Sequence, residues 1–504
     1  MADTPFTVRV RTAVIEQTER TRSSSKADIE RLIEESESKI VSLESLELRE
    51  REHACVAALR YLMSPIRTLP VELLTEIFGL AIHDDTHIED AFRVSQVCSD
   101  WRRVAHCTPE LWNRNFRVDI AGGDSDEFYA DGLKDWLARS APLPVPITWC
   151  GRQWEIIRCR SSEEVLRIAP RWCSLDFEFT APRWLVSRLS ECQLESLEAL
   201  ALTIPADSDP SAVLAFTVPR LRKLSLRIRS DALPILSLPW AQLADFTFAC
   251  HRTWSQPNIA FDLLSQCSNL VRASVFTGLV LPGAARDALS LRHLCSLSVY
   301  YFGPVGHIAG HGASFLDNLS APSLEELCLG FGKMSSQSPR WAEAHFPAFQ
   351  LRVPNITALE LQYSTITSDE LKDALSHTPC LERLILRHCE CCFDALIGAL
   401  CYEDGVQPLV PRLHSLHLQD SQIYDESTDI MGSMLTDSAD IMAKMLTSRW
   451  WTDAKLASNP VPPPVARWTL VRLDGHLESR FVNIMAGLQR KGIPLEVNAL
   501  RVLR

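Results

Sequence analysis

No stretch of the chain approaches the roughly 18 uninterrupted apolar residues of a membrane span, and the N-terminus lacks a charged segment followed by an apolar one. No membrane span or secretory signal is therefore expected, and the chain is expected in the cytoplasm, the nucleus or both. Positive charge is also short. Against 63 Asp and Glu stand 51 Lys and Arg, a net charge of −12, the wrong sign for a protein that coats nucleic acid, so nucleic acid is not an expected partner. Arg102, Arg103, Arg114 and Arg117 form a local basic patch without aromatic interleaving, which reads as a solvated face.

Catalytic signatures are missing as well. There is no complete phosphate-binding glycine loop, since Gly330-Phe331-Gly332-Lys333 lacks the remaining elements, and no G-x-S-x-G elbow. Serines, histidines and acids lie scattered, so no enzyme activity is expected. His307 and His311 are four apart but sit among Gly303, Gly306, Gly310 and Gly312, a loop composition rather than a metal-binding helix. His388-Cys389-Glu390-Cys391-Cys392, with Cys380 and Cys401, lacks a second pair at zinc-site spacing, which favours core packing over a metal site or a reactive thiol. No cofactor and no metal are expected. The 16 cysteines are not scarce, but most, such as Cys98, Cys173, Cys295 and Cys328, lie in apolar runs and read as buried thiols of a reducing compartment.

What the chain does have is apolar content for a large core: 46% hydrophobic against 23% charged residues excludes global disorder, collagen and a pure coiled coil. Residues 1–25 read as a mobile polar tail. In residues 26–52, 14 of 27 positions are charged, with Ile29, Leu32, Ile33, Ile40, Leu43 and Leu46 at helical spacing. This predicts one long amphipathic helix over 26–63 packed on the next domain. A short self-associating coiled coil through Ile33, Ile40, Leu43, Ala54, Ala57 and Tyr61 is the alternative, interrupted by Ser36, Glu47 and Glu50.

Pro65 ends that helix, and Pro70 starts another. Leu69, Leu73, Ile77 and Leu80 mark one apolar stripe; Leu74, Phe78 and Ile82 mark its neighbour. An arc this wide expects two partners. After the polar segment 83–90, a further helix is predicted with Ala91, Val94, Val97, Cys98, Trp101 and Val104 on one face, closed by Pro109-Glu110-Leu111-Trp112. A unit this small is expected to share its apolar surface with another protein or domain.

The string Leu69-Pro70-x-Glu72-Leu73-Leu74-x-x-Ile77-Phe78, then Val94-Ser95-Gln96-Val97-Cys98-x-x-Trp101-Arg102-x-Val104-Ala105, then Leu111-Trp112 resembles an F-box, in the F-box-like form common in mushroom-type (basidiomycete) fungi. The resemblance covers 65–116, within a domain placed at 64–118. Downstream, Leu133 to Ser140 with Pro142-Leu143-Pro144 is similar to a segment that often accompanies this form. The insert at 83–90 is longer than in the compact pattern. A connecting helix and linker would occupy 119–143.

The rest of the chain repeats. Matches to L-x-x-L-x-L, with apolar substitutions, begin at Trp172, Leu197, Leu221, Leu243, Leu270, Leu294, Leu324, Ile356, Leu381 and Leu413, separated by 22 to 32 residues. That is the period of leucine-rich repeats, which the segment resembles in architecture rather than closely. Alternate strand residues would face the core and segments such as Leu371 to Pro379 would return the chain as helices. The Asn or Cys expected after the last Leu is mostly missing, Cys389 excepted, so the turns are expected to be satisfied differently from repeat to repeat. Val145, Ile147 and Trp149 predict a leading strand. An insert at about 421–465 contains Met434-Leu435, Ile441-Met442, Met445-Leu446 and Trp450 at helical spacing, then the stiff Pro460-Val461-Pro462-Pro463-Pro464. A strand at Trp468–Leu473, a helix around Val482 to Arg490 and Leu495 to Val497 would close the array.

The expected fold is thus α/β: an irregular leucine-rich-repeat solenoid over 144–504, with parallel strands and convex helices, preceded by a small all-α F-box-like domain and a long helix. The resemblance implies an adaptor that docks on the Skp-type linker of a cullin-based ubiquitin ligase and holds a target protein on its repeats. It points to Leu69, Pro70, Leu73, Leu74, Ile77, Phe78, Cys98 and Trp101 as the docking set, some of which must instead serve the domain's own core. The alternative is a leucine-rich-repeat scaffold outside any ligase, with that surface covered by the N-terminal helix or the first repeat.

Overall fold

The computed structural model describes residues 23–503 apart from 68, 84–86, 120–125, 151–159, 179, 205–212, 230–234, 251–256, 278–279, 282–287, 302–312, 333–345, 390–392, 420–438, 454–455 and 457–462. The tail before Ser23, the His307 and His311 pair, Glu390-Cys391-Cys392, Met434-Leu435 and Pro460 to Pro462 lie outside the described residues. Two compact units divide the chain: residues 1–179 with 192–197, and residues 180–191 with 198–504.

The first unit opens with two helices rather than one, α1 (Ser23–Ser42) and α2 (Leu46–Leu62), broken at Leu43-Glu44-Ser45. They pair with each other: Cys55 and Leu59 are buried against Ile29, Leu32 and Ile33, and Arg60 bridges to Glu37 at 2.6 Å. The expected single helix does not form: the chain breaks at Leu43-Glu44-Ser45, while Ser36, Glu47 and Glu50 lie within the two helices. Folding back lets two short apolar stripes cover one another. Ala54 and Ala57, placed on the expected seam, are exposed.

Then follow, after a 3-10 turn at Pro65–Arg67, α3 (Val71–Ala81), α4 (His87–Gln96), α5 (Ser99–His106), a 3-10 turn at Pro109–Leu111, β1 (Phe116–Asp119), α6 (Asp126–Arg139), β2 (Val145–Cys150), α7 (Arg160–Arg167), a 3-10 turn at Ala169–Arg171 and β3 (Trp172–Phe177). The helix predicted through Ala91 to Val104 is two helices. Cys98 sits between them in an extended conformation and its Sγ accepts the Trp101 backbone N–H at 3.4 Å. A thiol cap thus starts α5 and ends the continuity of the face. Strands β1, β2 and β3 run parallel, with Val118 beside Trp149 and Ile147 beside Leu175. Trp112, Trp136, Trp149 and Trp172 are all buried in this unit.

The second unit carries a large parallel sheet. Its strands, in spatial and chain order, are β4 (Ala199–Ile204), β5 (Lys223–Ile228), β6 (Asp245–Cys250), β7 (Arg272–Thr277), β8 (Ser296–Tyr301), β9 (Glu326–Phe331), β10 (Ala358–Gln362), β11 (Arg383–Arg387), β12 (Ser415–Gln419), β13 (Leu470–Glu478) and β14 (Leu495–Leu503). The matches read at Leu221, Leu243, Leu270, Leu294, Leu324, Ile356, Leu381 and Leu413 each begin two residues before a strand. Their apolar positions stack in register: Leu224, Phe246, Ala273, Leu297, Leu327, Leu359, Leu384, Leu416 and Val471 form one continuous buried row. Alternation of period two forces this, because each neighbouring strand repeats the same face.

The corner before each strand from β5 to β12 is uniform. One carbonyl accepts two successive N–H groups of the next repeat: Glu198 from Arg222 and Lys223, Arg222 from Ala244 and Asp245, Ala244 from Val271 and Arg272, and so on to Glu382 from His414 and Ser415. The corner after the strand is where repeats differ. After β10 and β11, Tyr363 and His388 adopt positive φ of 52° and 54°, donate their N–H groups to Arg387 and Gln419 carbonyls and stack their rings 4.8 Å apart. Cys389 is buried there, its thiol donating to the Leu361 carbonyl at 3.5 Å.

Helices return the chain between some strands: α8 (Arg183–Glu191), α9 (Pro257–Ser265), α10 (Ser368–Ser376), α11 (Phe393–Leu400), α12 (Ala439–Ser448) and α13 (Ser479–Arg490). A capping box of Thr367 and Glu370 starts α10. Just after α12, Arg449 is fully buried; its guanidinium donates to the carbonyls of Leu400, Leu409, Val410 and Leu413 and lies over the Trp468 ring at 5.3 Å. Burial pulls its pKa down to about 10, while four carbonyls satisfy the buried cation.

Candidate functional site

Helix α3 separates its two apolar stripes. Leu74 and Phe78 are 1% exposed and Ile82 is buried, whereas Leu73, Ile77 and Leu80 are 51%, 39% and 82% exposed. Residues at i, i+4 and i+7 share one face of a helix, so the exposed set is a single continuous strip. Pro70, also exposed, precedes the first turn, and its carbonyl accepts the Leu74 N–H at 3.1 Å. Val71 and Val97 are exposed as well.

The inward stripe is held by named contacts. The Phe78 ring lies 4.8 Å from the half-buried Trp101 ring. Trp112, fully buried, donates its indole N–H to the Ala105 carbonyl at 2.7 Å, meets Phe92 edge-on at 5.6 Å and is covered by the Arg139 guanidinium at 4.9 Å. Arg114 donates to the carbonyls of Gly79 and Ile82, each at 2.8 Å, satisfying the C-terminal end of α3. Burial, with Arg139 and Arg102 close by, pulls the His106 imidazole below its ordinary value.

The eight residues expected to dock therefore fall into three groups. Pro70, Leu73 and Ile77 are exposed; Leu69, Cys98 and Trp101 are half-buried; Leu74 and Phe78 face the domain's own core. Leu80 belongs to the exposed strip and was missing from that set; Val71 and Val97 are exposed as well. Leu80 was legible as the next member of the i, i+4, i+7 series, and Val97 owes its exposure to Cys98, which ends the face. The basic patch does not act as one surface: Arg103 pairs with Asp100 at 2.6 Å, Arg117 with Glu178 at 2.7 Å and Arg114 is engaged by α3, leaving Arg102 exposed.

A second surface is the polar face of the sheet in the other unit, where charges pair between strands: Arg272 with Asp245 at 2.5 Å and Arg387 with Glu360 at 2.9 Å on adjacent strands, and Arg383 with Glu326 at 2.7 Å across the intervening β10. A depression of about 270 Å³ there is lined by Ser296, Ser298, Glu326, Cys328, Glu360 and Arg383, among others. Burial, reinforced by Glu360, pushes the Cys328 thiol up to about 11, so it stays a protonated, unreactive thiol near neutral pH. Cys98, Cys173, Cys295 and Cys328, expected to be buried, are half-buried instead, because they occupy polar-face or cap positions rather than core ones. Among the described residues no group of three or more His, Cys, Asp or Glu is placed to hold a metal ion, and no helix is long and apolar enough to cross a membrane.

The family model described as F-box-like matches residues 66–118, so the chain carries an F-box-like domain whose outer strip is the one just described. No curated protein matches the chain.

Proposed function

We propose that this protein is a substrate-recruiting adaptor of a Skp-cullin-F-box type ubiquitin ligase, in which α3 and its neighbours bind the Skp-type adaptor and the strand array acts as a leucine-rich-repeat-like solenoid that holds the target. The observation that carries this reading is the strip of Leu73, Ile77 and Leu80, exposed in a domain that matches the F-box-like model. Covering that strip removes its apolar area from water and so contributes to a specific interface. The protein recruits and does not catalyse: transfer of ubiquitin belongs to other subunits.

The scaffold reading requires the α3 surface to be covered within the chain, and the exposure of Leu73, Ile77 and Leu80 speaks against it. The test is co-purification of the full chain with the Skp-type adaptor and its cullin. Retention of both supports recruitment, and loss of the adaptor at every concentration reached returns the protein to the scaffold class.

A further inference from the structure

Strand β5 and its flanks carry five exposed cations in ten residues, Arg220, Arg222, Lys223, Arg227 and Arg229, with no acid among them. Leu224, Leu226 and Ile228 are buried, so by alternation Lys223, Ser225 and Arg227 stand together on the polar face. Elsewhere on that face the cations are neutralised from within the sheet: Arg272 by Asp245, Arg383 by Glu326, Arg387 by Glu360, and Arg472 by Asp474 at 3.0 Å. Lys223 and Arg227 make no ion pair among the described residues. Their acidic neighbours do not compensate them: Asp245, beside Lys223 in register, is engaged by Arg272, and the exposed Glu198 lies at the edge before β4. On a chain with net charge −12, a cationic rung left uncompensated on an otherwise internally paired face calls for anionic groups from outside.

We infer that β5 docks an extended, Asp- or Glu-rich segment of the target protein, its carboxylates meeting Lys223 and Arg227. The spacing suits a peptide laid along the strand: four residues at about 3.3 Å each separate the two cations by roughly 13 Å, and an extended peptide repeats that rise. A long polyanion is disfavoured, because beyond this rung it meets the paired acids Asp245, Glu326 and Glu360 and the overall negative field. The inference rests on the target-holding role proposed for the strand array, and not on adaptor docking.

The test uses the full chain and the anisotropy of three fluorescein-labelled probes: a peptide of eight glutamates, one of eight glutamines, and a twelve-nucleotide poly-dT. The glutamate peptide is expected to bind, the glutamine peptide not, and Lys223→Glu with Arg227→Glu to weaken binding about tenfold or more. The neutral pair Lys223→Gln with Arg227→Gln is expected to do the same in part, with circular dichroism and melting unchanged, and Arg490→Glu on α13 to leave binding intact. Equal binding of the glutamate and glutamine peptides overturns the inference. So does an equal loss in Arg490→Glu. So does poly-dT held more tightly than the glutamate peptide and released by the same pair, which makes the rung a nucleic-acid contact. Adaptor capture, measured in parallel, is unaffected by the β5 variants; its failure in the wild type would end the ligase reading without touching this one.

Discussion

Phe78 and Trp101 hold their rings 4.8 Å apart at a tilt of 56°, Phe78 from α3 and Trp101 from α5. This contact fixes which side of α3 turns inward, and hence that Ile77, one residue earlier, turns out. The inner stripe builds the domain so that the outer one is presented.

The two stripes therefore respond differently to substitution. Phe78→Ala is expected to destabilise the unit by about 3 to 5 kcal/mol, the usual cost of emptying a packed aromatic site. Leu73→Ala is expected to change stability by no more than about 0.5 kcal/mol. Urea denaturation of the full chain, followed by tryptophan fluorescence, measures both; equal losses would mean that Leu73 is covered.

At β9, Gly330 lies beside Tyr300, and a Cβ there would stand 2.4 Å from the ring. The ring is pinned from its other side by Phe276, stacked at 4.5 Å, so it cannot swing away freely. Gly330→Ala is expected to cost about 1 to 3 kcal/mol, and Tyr300→Ser in the same chain to recover most of it. A double-mutant cycle in melting free energy reads the coupling, and simple additivity would show that the close approach does not matter.

Arg449 serves four carbonyls and Trp468 at once. Arg449→Met fills part of the space but leaves the carbonyls without donors, so a loss of about 3 kcal/mol or more is expected. Arg449→Lys, which supplies charge without a planar fork, recovers only part of it. Melting of the three chains side by side measures this, and full recovery by lysine would reduce the site to charge alone.

Near the end of the sheet, burial opposes the charge of Asp474, but hydrogen bonds from Asn498 at 2.8 Å and His417 at 2.7 Å, with His417 and Arg472 close by, outweigh it and hold its carboxyl below the usual range. A carboxyl held low in the folded state binds fewer protons there than in the unfolded chain. Its contribution is complete above the unfolded value near about 3.9 and is lost as pH falls through the folded one. The stability gap between wild type and Asp474→Asn is expected to be widest above about pH 5 and to close toward about pH 2. Urea midpoints across that range check it, and a constant gap would remove Asp474 as the source.

Much of this fold was legible because its signals are local and repeated. Leads such as Leu221, Leu324 and Leu381 fall two residues before a strand, since a buried row of alternate residues writes itself directly into sequence. The hairpin of α1 and α2 was not legible: whether Cys55 and Leu59 cover Ile29 and Ile33 of the same chain or some other surface is a tertiary choice that spacing alone leaves open. Nor was the break at Cys98, where one thiol cap ends a periodicity that continues smoothly on either side. Within the docking set, Leu74 and Phe78 carry the same chemistry as Leu73 and Ile77; only packing against Trp101 and its neighbours tells them apart. The uniform corner before β5 to β12 uses backbone groups alone, so no side chain records it.

One comparison tests adaptor docking through α3 most directly: the affinity of the purified Skp-type adaptor, by titration calorimetry, for the full wild-type chain and for Ile77→Asp, each with its melting midpoint recorded. The prediction is tight binding by the wild type and a loss of about a hundredfold or more in a variant that melts as the wild type does, since a charge is forced into the centre of an apolar interface. Equal affinity of the two chains, or no binding by the folded wild type, would contradict it.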